Sequence, residues 1–579
     1  MVIPAARQKF YRHINGLIDL AESTPDAPER LVQSLIHLWQ ERNFPLLLPA
    51  RAPRGTAPFL TEQGTLELAD WLCDQPFNEA AYWLASAYSL WVGKEVRAQR
   101  ALFFTPPRLA DRVISNLINL GASLAEHHWH DPACGGAAFL VPIAQRMAEA
   151  FSAKSLSPLK QLQLIERRVS GNDLDPALLG ISKSFLEMAL YPLIEASGYR
   201  PKFQLFHGDG LTSGAIEDLQ PDVIACNPPY RKLKAAEVMA YRAIHSDVVE
   251  GQPNVYGLFI NRTLQLIKTG GLIGLLTPTS FLSGKSFSKL RSKILSASNI
   301  LQLDMLSDRT SMFIDVEQET AITILRTRNP SKAVSTHTEV SVLTAEGYFD
   351  NVGSYLLPNS GRPWPIPRAA EDAGLLKAAE AAAFRLSDYG YKARVGNLVA
   401  YRDKRRRFIC RPVDLKLRNI IPLVWATDIA PDGTFEHGRE SRHARTCAFV
   451  QVKSLEVAGV IKKPAVLLQR LTSSDQRSRL VAAAVPAKWI GKNGGYICEN
   501  HVIVLEPISG TAIAPDLMAG LLNTRSVDRV FRSISGASNV AVSELNELLL
   551  PDPRVLTQCF EVEQDLEAAV SAAYSLIGR

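Results

Sequence analysis

Between Trp129 and Arg326 short apolar runs alternate with amphipathic helical stretches, and this alternation constrains the fold more than any other feature of the chain. DPACG is followed by AAFLVPIAQRMAEAF, and GNDLD by PALLGISKSFLEMAL. FQLFHGDGL, PDVIACNPP, LFINRTLQLIKT, GGLIGLLTP and AITILRT continue the series. Strands separated by helices predict a largely parallel α/β sheet. The stretch 154–168, KSLSPLKQLQLIERR, lengthens the first crossover and reads equally as a surface excursion or an extra helix.

The flanks have a different texture. From Ala6 to about Arg100, apolar residues return at three- and four-residue intervals, predicting a helical preface. Beyond Tyr355 the alternation fades into turn-rich sequence around SGRPWPIP, so a further domain is expected to begin between Tyr355 and Ala370. A chain of 579 residues with 46% hydrophobic composition exceeds what one core usually serves. The expected division is an N-terminal helical region over 1–100, a sheet domain over 101–355 and a C-terminal region over 356–579. A net charge of +6 identifies no partner. Cys73, Cys134, Cys226, Cys410, Cys447, Cys498 and Cys559 form no CxxC pair, no metal site is expected, and the opening residues lack the apolar core of a signal peptide. The run GGLIGLLTPTSFL is too short and interrupted to span a bilayer. A cytoplasmic, reducing setting without membrane insertion is therefore expected.

Three strand ends carry candidate binding residues. In HWHDPACGGAAFL, Asp131, Ala133 and Gly135 sit between a strand and a helix, where small residues let the backbone approach a ligand. In GNDLDP, Asp173 could accept hydrogen bonds from ribose hydroxyls, and Asp175 is suited to capping the helix that starts at Pro176. In FHGDGLT, Asp209 stands at the next strand end, positioned for an exocyclic adenine amine, with Gly210 beside it.

The sharpest element is DVIACNPPY. Pro228 and Pro229 fix the backbone and remove two amide donors, leaving the Asn227 side-chain oxygen and the Pro228 carbonyl free to converge on one point. Two acceptors there could hold both N–H groups of a substrate amine and aim its lone pair at an electrophilic methyl, while Tyr230 offers a face for stacking a planar base.

The order FFTPPRLADRV, DPACGGAAFL, GNDLDP, FHGDGL, NPPY resembles the N6-adenine DNA methyltransferases of restriction-modification systems, in which cofactor motifs precede the catalytic motif. The likeness continues through NVYGLFINRTLQLIKTGGLIGLLTPTSFLSG, Lys289-Leu290-Arg291 and the TAITIL segment, covering roughly Ala101 to Arg326. The resemblance implies a Rossmann-like S-adenosylmethionine-dependent methyltransferase sheet, flanked by the N-terminal helical segment and a C-terminal mixed α/β target-recognition domain. It implies that Phe103, Phe104, Thr105, Pro106 and Asp131 surround the methionine end of the cofactor, Asp173 its ribose and Asp209 its adenine. Relatives often carry a larger apolar residue at the position of Gly210. Asn227, Pro228 and Tyr230, with Pro229, match the catalytic elements, and Phe313 matches an aromatic packed against a flipped adenine. Double-stranded DNA is the implied substrate, and a separate restriction nuclease or defence-complex subunits are implied partners.

One departure stands in the cofactor loop, where Ala137 occupies a position that the family pattern fills with glycine. It keeps open a weakly active or inactive DNA-binding subunit, and NPPY by itself also suits methylation of an RNA exocyclic amine or a protein amide. In the C-terminal region, Lys404, Arg405, Arg406 and Arg407 form a basic run suited to phosphates. Gln469, Arg470, Asn500, Asn523 and Arg532 are polar candidates beside predicted elements. No nuclease signature is found in the opening helical segment.

Overall fold

The computed structural model describes residues 4–212, 214–306, 319–328, 337–344, 346–358, 361–413, 417–439, 447–472, 476–508, 510–535 and 539–577. The chain forms two units, Met1–Phe281 with Ser286–Gly361, and Leu282–Lys285 with Arg362–Arg579.

The first unit begins with helices α1 (Pro4–Gly16), α2 (Ala27–Asn43), α3 (Gln63–Cys73), α4 (Phe77–Trp91), α5 (Lys94–Arg100) and α6 (Pro107–Asn119). Apolar spacing decides their packing: Leu31, Leu35, Leu38 and Trp39 of α2 recur on one side and are all buried. All of these helices except α5, which buries no residue, share one core with the sheet that follows. Trp39, for instance, meets Phe185 edge-on at 6.2 Å between ring centres.

The sheet comprises β1 (Trp129–Asp131), β2 (Val169–Asp173), β3 (Gln204–His207), β4 (Val223–Cys226), β5 (Leu272–Pro278), β6 (Ser298–Leu306), β7 (Thr320–Thr327), β8 (His337–Leu343) and β9 (Phe349–Leu356). Their order is β3-β2-β1-β4-β5-β7-β6-β8-β9. The first five strands run parallel, and β7 inserts antiparallel between β5 and β6. Every residue of β5 is buried, as a near-continuous apolar run in a sheet centre requires.

Crossovers are supplied by α7 (Leu140–Ala153), α8 (Pro158–Arg168), α9 (Pro176–Ala189), α10 (Ala235–His245) and α11 (Val255–Leu266). The stretch that lengthens the first crossover is thus mainly the extra helix α8, whose start is capped by Ser157 accepting from the Lys160 N–H. On α12 (Ser288–Ala297), the Arg291 guanidinium is buried and donates to the carbonyls of Phe281 and Gly361, the residues on which this unit's two segments end.

The second unit contains two four-stranded sheets and several helices. β10 (Tyr391–Val395), β14 (Val466–Gln469), β15 (Ala482–Ala484) and β17 (Val502–Pro507) form one sheet, in the order β10-β17-β14-β15. β11 (Arg407–Phe408), β12 (Ile420–Val424), β13 (Phe449–Gln451) and β16 (Ile497–Cys498) form the other. Among the described residues no single helix is long and apolar enough to cross a membrane, and no group of metal-ligating side chains occurs. One bent pair, α9 with Tyr191–Ser197, passes on length and composition. α9 nevertheless buries Leu178, Ile181, Phe185 and Leu186 in the first unit's core.

Candidate active site

The strand order reverses between β1 and β4, and in open parallel sheets ligands bind beyond the carboxyl ends of the strands at such a reversal. A cavity of about 910 Å³ opens there. Its wall includes Phe104, Thr105, Asp131, Ala133, Gly135, Asp173, Asp209, Gly210, Asn227 and Pro229. Residues from five separate sequence motifs therefore converge on one space, within the range of about 300–1,000 Å³ that small-molecule sites occupy. Pro106 and Pro228 do not themselves line it, but each directly follows in the chain a residue that does, Thr105 and Asn227.

Three carboxylates mark the cavity. Asp131 ends β1 with 2% of its surface exposed and accepts the Ala133 N–H at 3.0 Å. Burial pushes its carboxyl up to about 7, opposed by the backbone hydrogen bond. Asp173 ends β2 and accepts the N–H groups of Gly135 at 2.8 Å and Asp175 at 2.8 Å. Desolvation raises it to about 6. Asp209 accepts the Leu211 N–H at 3.0 Å on one oxygen and the Tyr241 hydroxyl at 2.8 Å on the other. Asp175 caps α9 through the Ala177 N–H and also accepts Arg100 at 2.7 Å, tying α5 to the rim.

Gly210 has a steric reason. A Cβ there would stand 2.3 Å from the Pro132 carbonyl oxygen and 3.0 Å from the Phe259 ring of α11. Phe259 itself lines the cavity. The larger apolar residue common in relatives would collide with the β1 turn, so the apolar surface beside this position comes from α11.

The Asn227 amide is engaged on both sides. Its Nδ2 donates to Thr105 Oγ1 at 2.9 Å, and its Oδ1 accepts the Tyr230 hydroxyl at 2.6 Å. That hydroxyl also lies 3.0 Å from the Leu276 carbonyl. The Tyr230 ring, expected from sequence to present a stacking face, is buried and set edge-on to Tyr256 at 6.3 Å rather than lining the cavity. Burial raises its phenol well above the usual range, which keeps it protonated. Phe313 lies outside the described residues.

Ala137 adopts φ +60°, in the left-handed region that favours glycine, and donates its N–H to the Cys134 carbonyl at 2.8 Å. It is fully buried and does not line the cavity, so its methyl group strains the loop without filling the ligand space. Ala137→Gly is expected to stabilise the protein by about 0.5–1 kcal/mol, the left-handed penalty less the extra chain entropy of glycine. A denaturant midpoint that falls on this substitution would reject the strain argument.

The basic run in the second unit is not uniform. Lys404 and Arg406 are exposed, with Arg406 over the Phe408 ring at 5.7 Å. Arg405 instead makes a bidentate pair with Asp403, at 3.0 and 2.6 Å, so much of its charge is locally neutralised. Arg407 is half-buried in β11. Several polar candidates are committed internally. Gln469 donates to the Ile429 carbonyl, Arg470 to that of Asn500, Asn523 pairs with both backbone groups of Ala482, and Arg532 bridges Asp528.

Tyr241 and Phe259 also line the cavity, from α10 and α11. Tyr241 belongs to no sequence motif, and in the segment that holds Phe259 helical periodicity does not say which side chain faces a ligand.

A parallel sheet in this order with a reversed β7, and acidic strand ends beside Asn-Pro-Pro-Tyr, define the S-adenosylmethionine-dependent methyltransferase fold. Within that class, residues 185–313 match the Eco57I restriction-modification methylase family. The chain is 22% identical over 342 residues to the Type II methyltransferase M.BsuBI of Bacillus subtilis, covering 57% of this chain and 65% of that protein. It is 23% identical over 349 residues to the Type II methyltransferase M.PstI of Providencia stuartii, covering 56% of this chain and 64% of that one. The alignments thus span less than two thirds of either relative. In fold, it resembles the Type IIL restriction-modification enzyme MmeI, solved in complex with DNA. The TM-score is 0.54 at 10% identity, covering 95% of this chain and 86% of that structure. S-adenosylmethionine is the cofactor of this class, and the cavity fits it: buried acids suit a cationic ligand, and Gly210 keeps the wall clear between Pro132 and Phe259.

Proposed function

We propose that the protein is a site-specific DNA methyltransferase that methylates adenine at N6 in double-stranded DNA, as the modification activity of a restriction-modification or phage-defence system. The observation that carries this reading is the convergence of Asp131, Asp173, Asp209 and Asn227 on one cavity. When bound, S-adenosylmethionine supplies an electrophilic methyl group on a sulfonium sulfur. Asn227 Oδ1 and the Pro228 carbonyl accept the two N–H groups of the target amine, directing its lone pair outward and stabilising positive charge as it develops on nitrogen. The N–C bond forms as the sulfur–methyl bond breaks with its electron pair staying on sulfur, the proton then passes from that nitrogen to water, and no covalent enzyme–base bond is needed. Oδ1 accepts the Tyr230 hydroxyl on one lone pair and keeps a second for the incoming amine, while that hydroxyl also has the Leu276 carbonyl as an acceptor.

The target amine lies inside a duplex, so the adenine is flipped into the pocket before transfer. Stacking on the flipped base is assigned to Tyr230, whose ring must first leave its buried place beside Tyr256, and to Phe313 as a second aromatic. Phosphate contacts are assigned to Lys404 and Arg406, with smaller shares from Arg405 and Arg407. A separate nuclease or defence-complex subunits are the proposed partners. Labelled S-adenosylmethionine incubated with the protein and unmethylated genomic DNA should yield N6-methyladenine. Methylation of RNA or protein but not DNA would sink the proposal.

Cofactor binding is expected to depend on pH through Asp131. Its folded-state value, about 7, lies above its ordinary value of 3.8, so between these values the folded protein holds a proton that the unfolded chain has lost. Rising pH across that window therefore costs the ligand-free protein stability. A cationic ligand favours the ionised carboxyl, so binding expels a proton below about pH 7, and affinity rises with pH before levelling. The thermal stabilisation given by S-adenosylmethionine should grow between about pH 5.5 and pH 7.5. A flat profile would exclude Asp131 from contact with the cation.

A further inference from the structure

We propose that Tyr241 is a positioning residue, orienting the Asp209 carboxylate toward the exocyclic amine of the cofactor's adenine so that the pocket selects a 6-amino over a 6-oxo purine. This rests on the methyltransferase reading of the cavity. Asp209 stands on the turn after β3, where the Leu211 N–H holds one carboxylate oxygen at 3.0 Å. One donor from the same turn leaves the carboxylate plane free to rotate. The Tyr241 hydroxyl holds the second oxygen at 2.8 Å from a different element, α10. The phenol donates and the carboxylate accepts, and each oxygen retains a further lone-pair direction for a ligand. Both side chains line the cavity.

The helix that delivers Tyr241 is itself anchored beside the catalytic motif. Glu237 in its first turn accepts the Lys234 N–H at 2.7 Å and pairs with Arg231 at 2.8 Å, and Arg231 directly follows Tyr230. The carboxylate is thus held from the β3 turn and from the segment after NPPY together. An oriented carboxylate accepts a purine N–H, but it meets the oxygen of a 6-oxo purine lone pair against lone pair. A site built to accept an amine's N–H disfavours the analogue that lacks one.

The test measures calorimetric binding of S-adenosylhomocysteine and its deaminated counterpart, S-inosylhomocysteine, to the full chain. The unmutated protein should prefer the adenine ligand by about a hundredfold or more. Tyr241→Phe, which removes only the hydroxyl, should weaken the adenine ligand about five- to tenfold and change the inosine ligand less than about twofold. Asp209→Asn should nearly abolish the preference, since an amide can turn a donor toward the 6-oxo group. Equal weakening of both ligands by Tyr241→Phe, or no weakening of either, would overturn the positioning role. Failure of the unmutated chain to bind S-adenosylhomocysteine would overturn the cofactor reading itself, and this inference with it.

Discussion

Asn227→Ala is expected to lower kcat for DNA methylation by about a hundred- to a thousandfold, the usual loss when a hydrogen-bonding group aimed at transition-state charge is removed. Affinity for S-adenosylhomocysteine should stay within about twofold, because the lost acceptor acts on charge developing at the target nitrogen rather than on the cofactor. The fold should tolerate the change. The Tyr230 hydroxyl keeps the Leu276 carbonyl at 3.0 Å, and Thr105 loses only the Asn227 Nδ2 donor. Single-turnover methylation of duplex DNA together with calorimetric cofactor binding separates the two effects. Retained transfer would remove Asn227 from the chemistry, and an equal fall in cofactor affinity would reassign it to the cofactor site.

Gly210→Ala should be the most damaging single-methyl change in the cavity wall. Its Cβ would stand 2.3 Å from the Pro132 carbonyl oxygen, a backbone atom that cannot withdraw without opening the turn after Asp131. Overpacking of this kind costs about 1–3 kcal/mol and sometimes more. Because the displaced turn carries Asp131 and Ala133, S-adenosylhomocysteine affinity should fall along with the denaturant midpoint. Gly180→Ala is the internal control. Nothing lies within 4 Å of its Cβ position on α9, so alanine there should stabilise by roughly 0.5–1 kcal/mol through helix propensity. If Gly210→Ala behaves like that control, the close approach of the two turns is not a feature of the folded protein.

The methyltransferase likeness is legible in the amino-acid sequence, because its elements are local. Apolar period, Gly-rich turns and strand ends leave marks within a few residues of one another, and NPPY owes its stiffness to covalent rings rather than to distant partners. Arg405 shows the limit of such reading: its run promises four free cations, yet Asp403, two residues away, takes much of its charge. Asn523 and Gln469 likewise look available in sequence but spend their polar groups on the backbone of other elements.

The alternating strands and helices, the acidic strand ends and the rigid Asn-Pro-Pro turn follow from side-chain periodicity and backbone restriction over short spans, and are written in the sequence. The close approach of Gly210 to Pro132, the seating of the Tyr230 hydroxyl on Asn227 and the bond from Tyr241 to Asp209 arise only in the folded protein. The first and last of these are contacts between side chains or turns far apart in the chain. Such neighbours exist only once helices pack on a sheet, and no local pattern encodes which of them will meet. The Tyr230 contact is short in sequence, but its direction depends on the strand beside it, whose Leu276 carbonyl helps hold the hydroxyl in place.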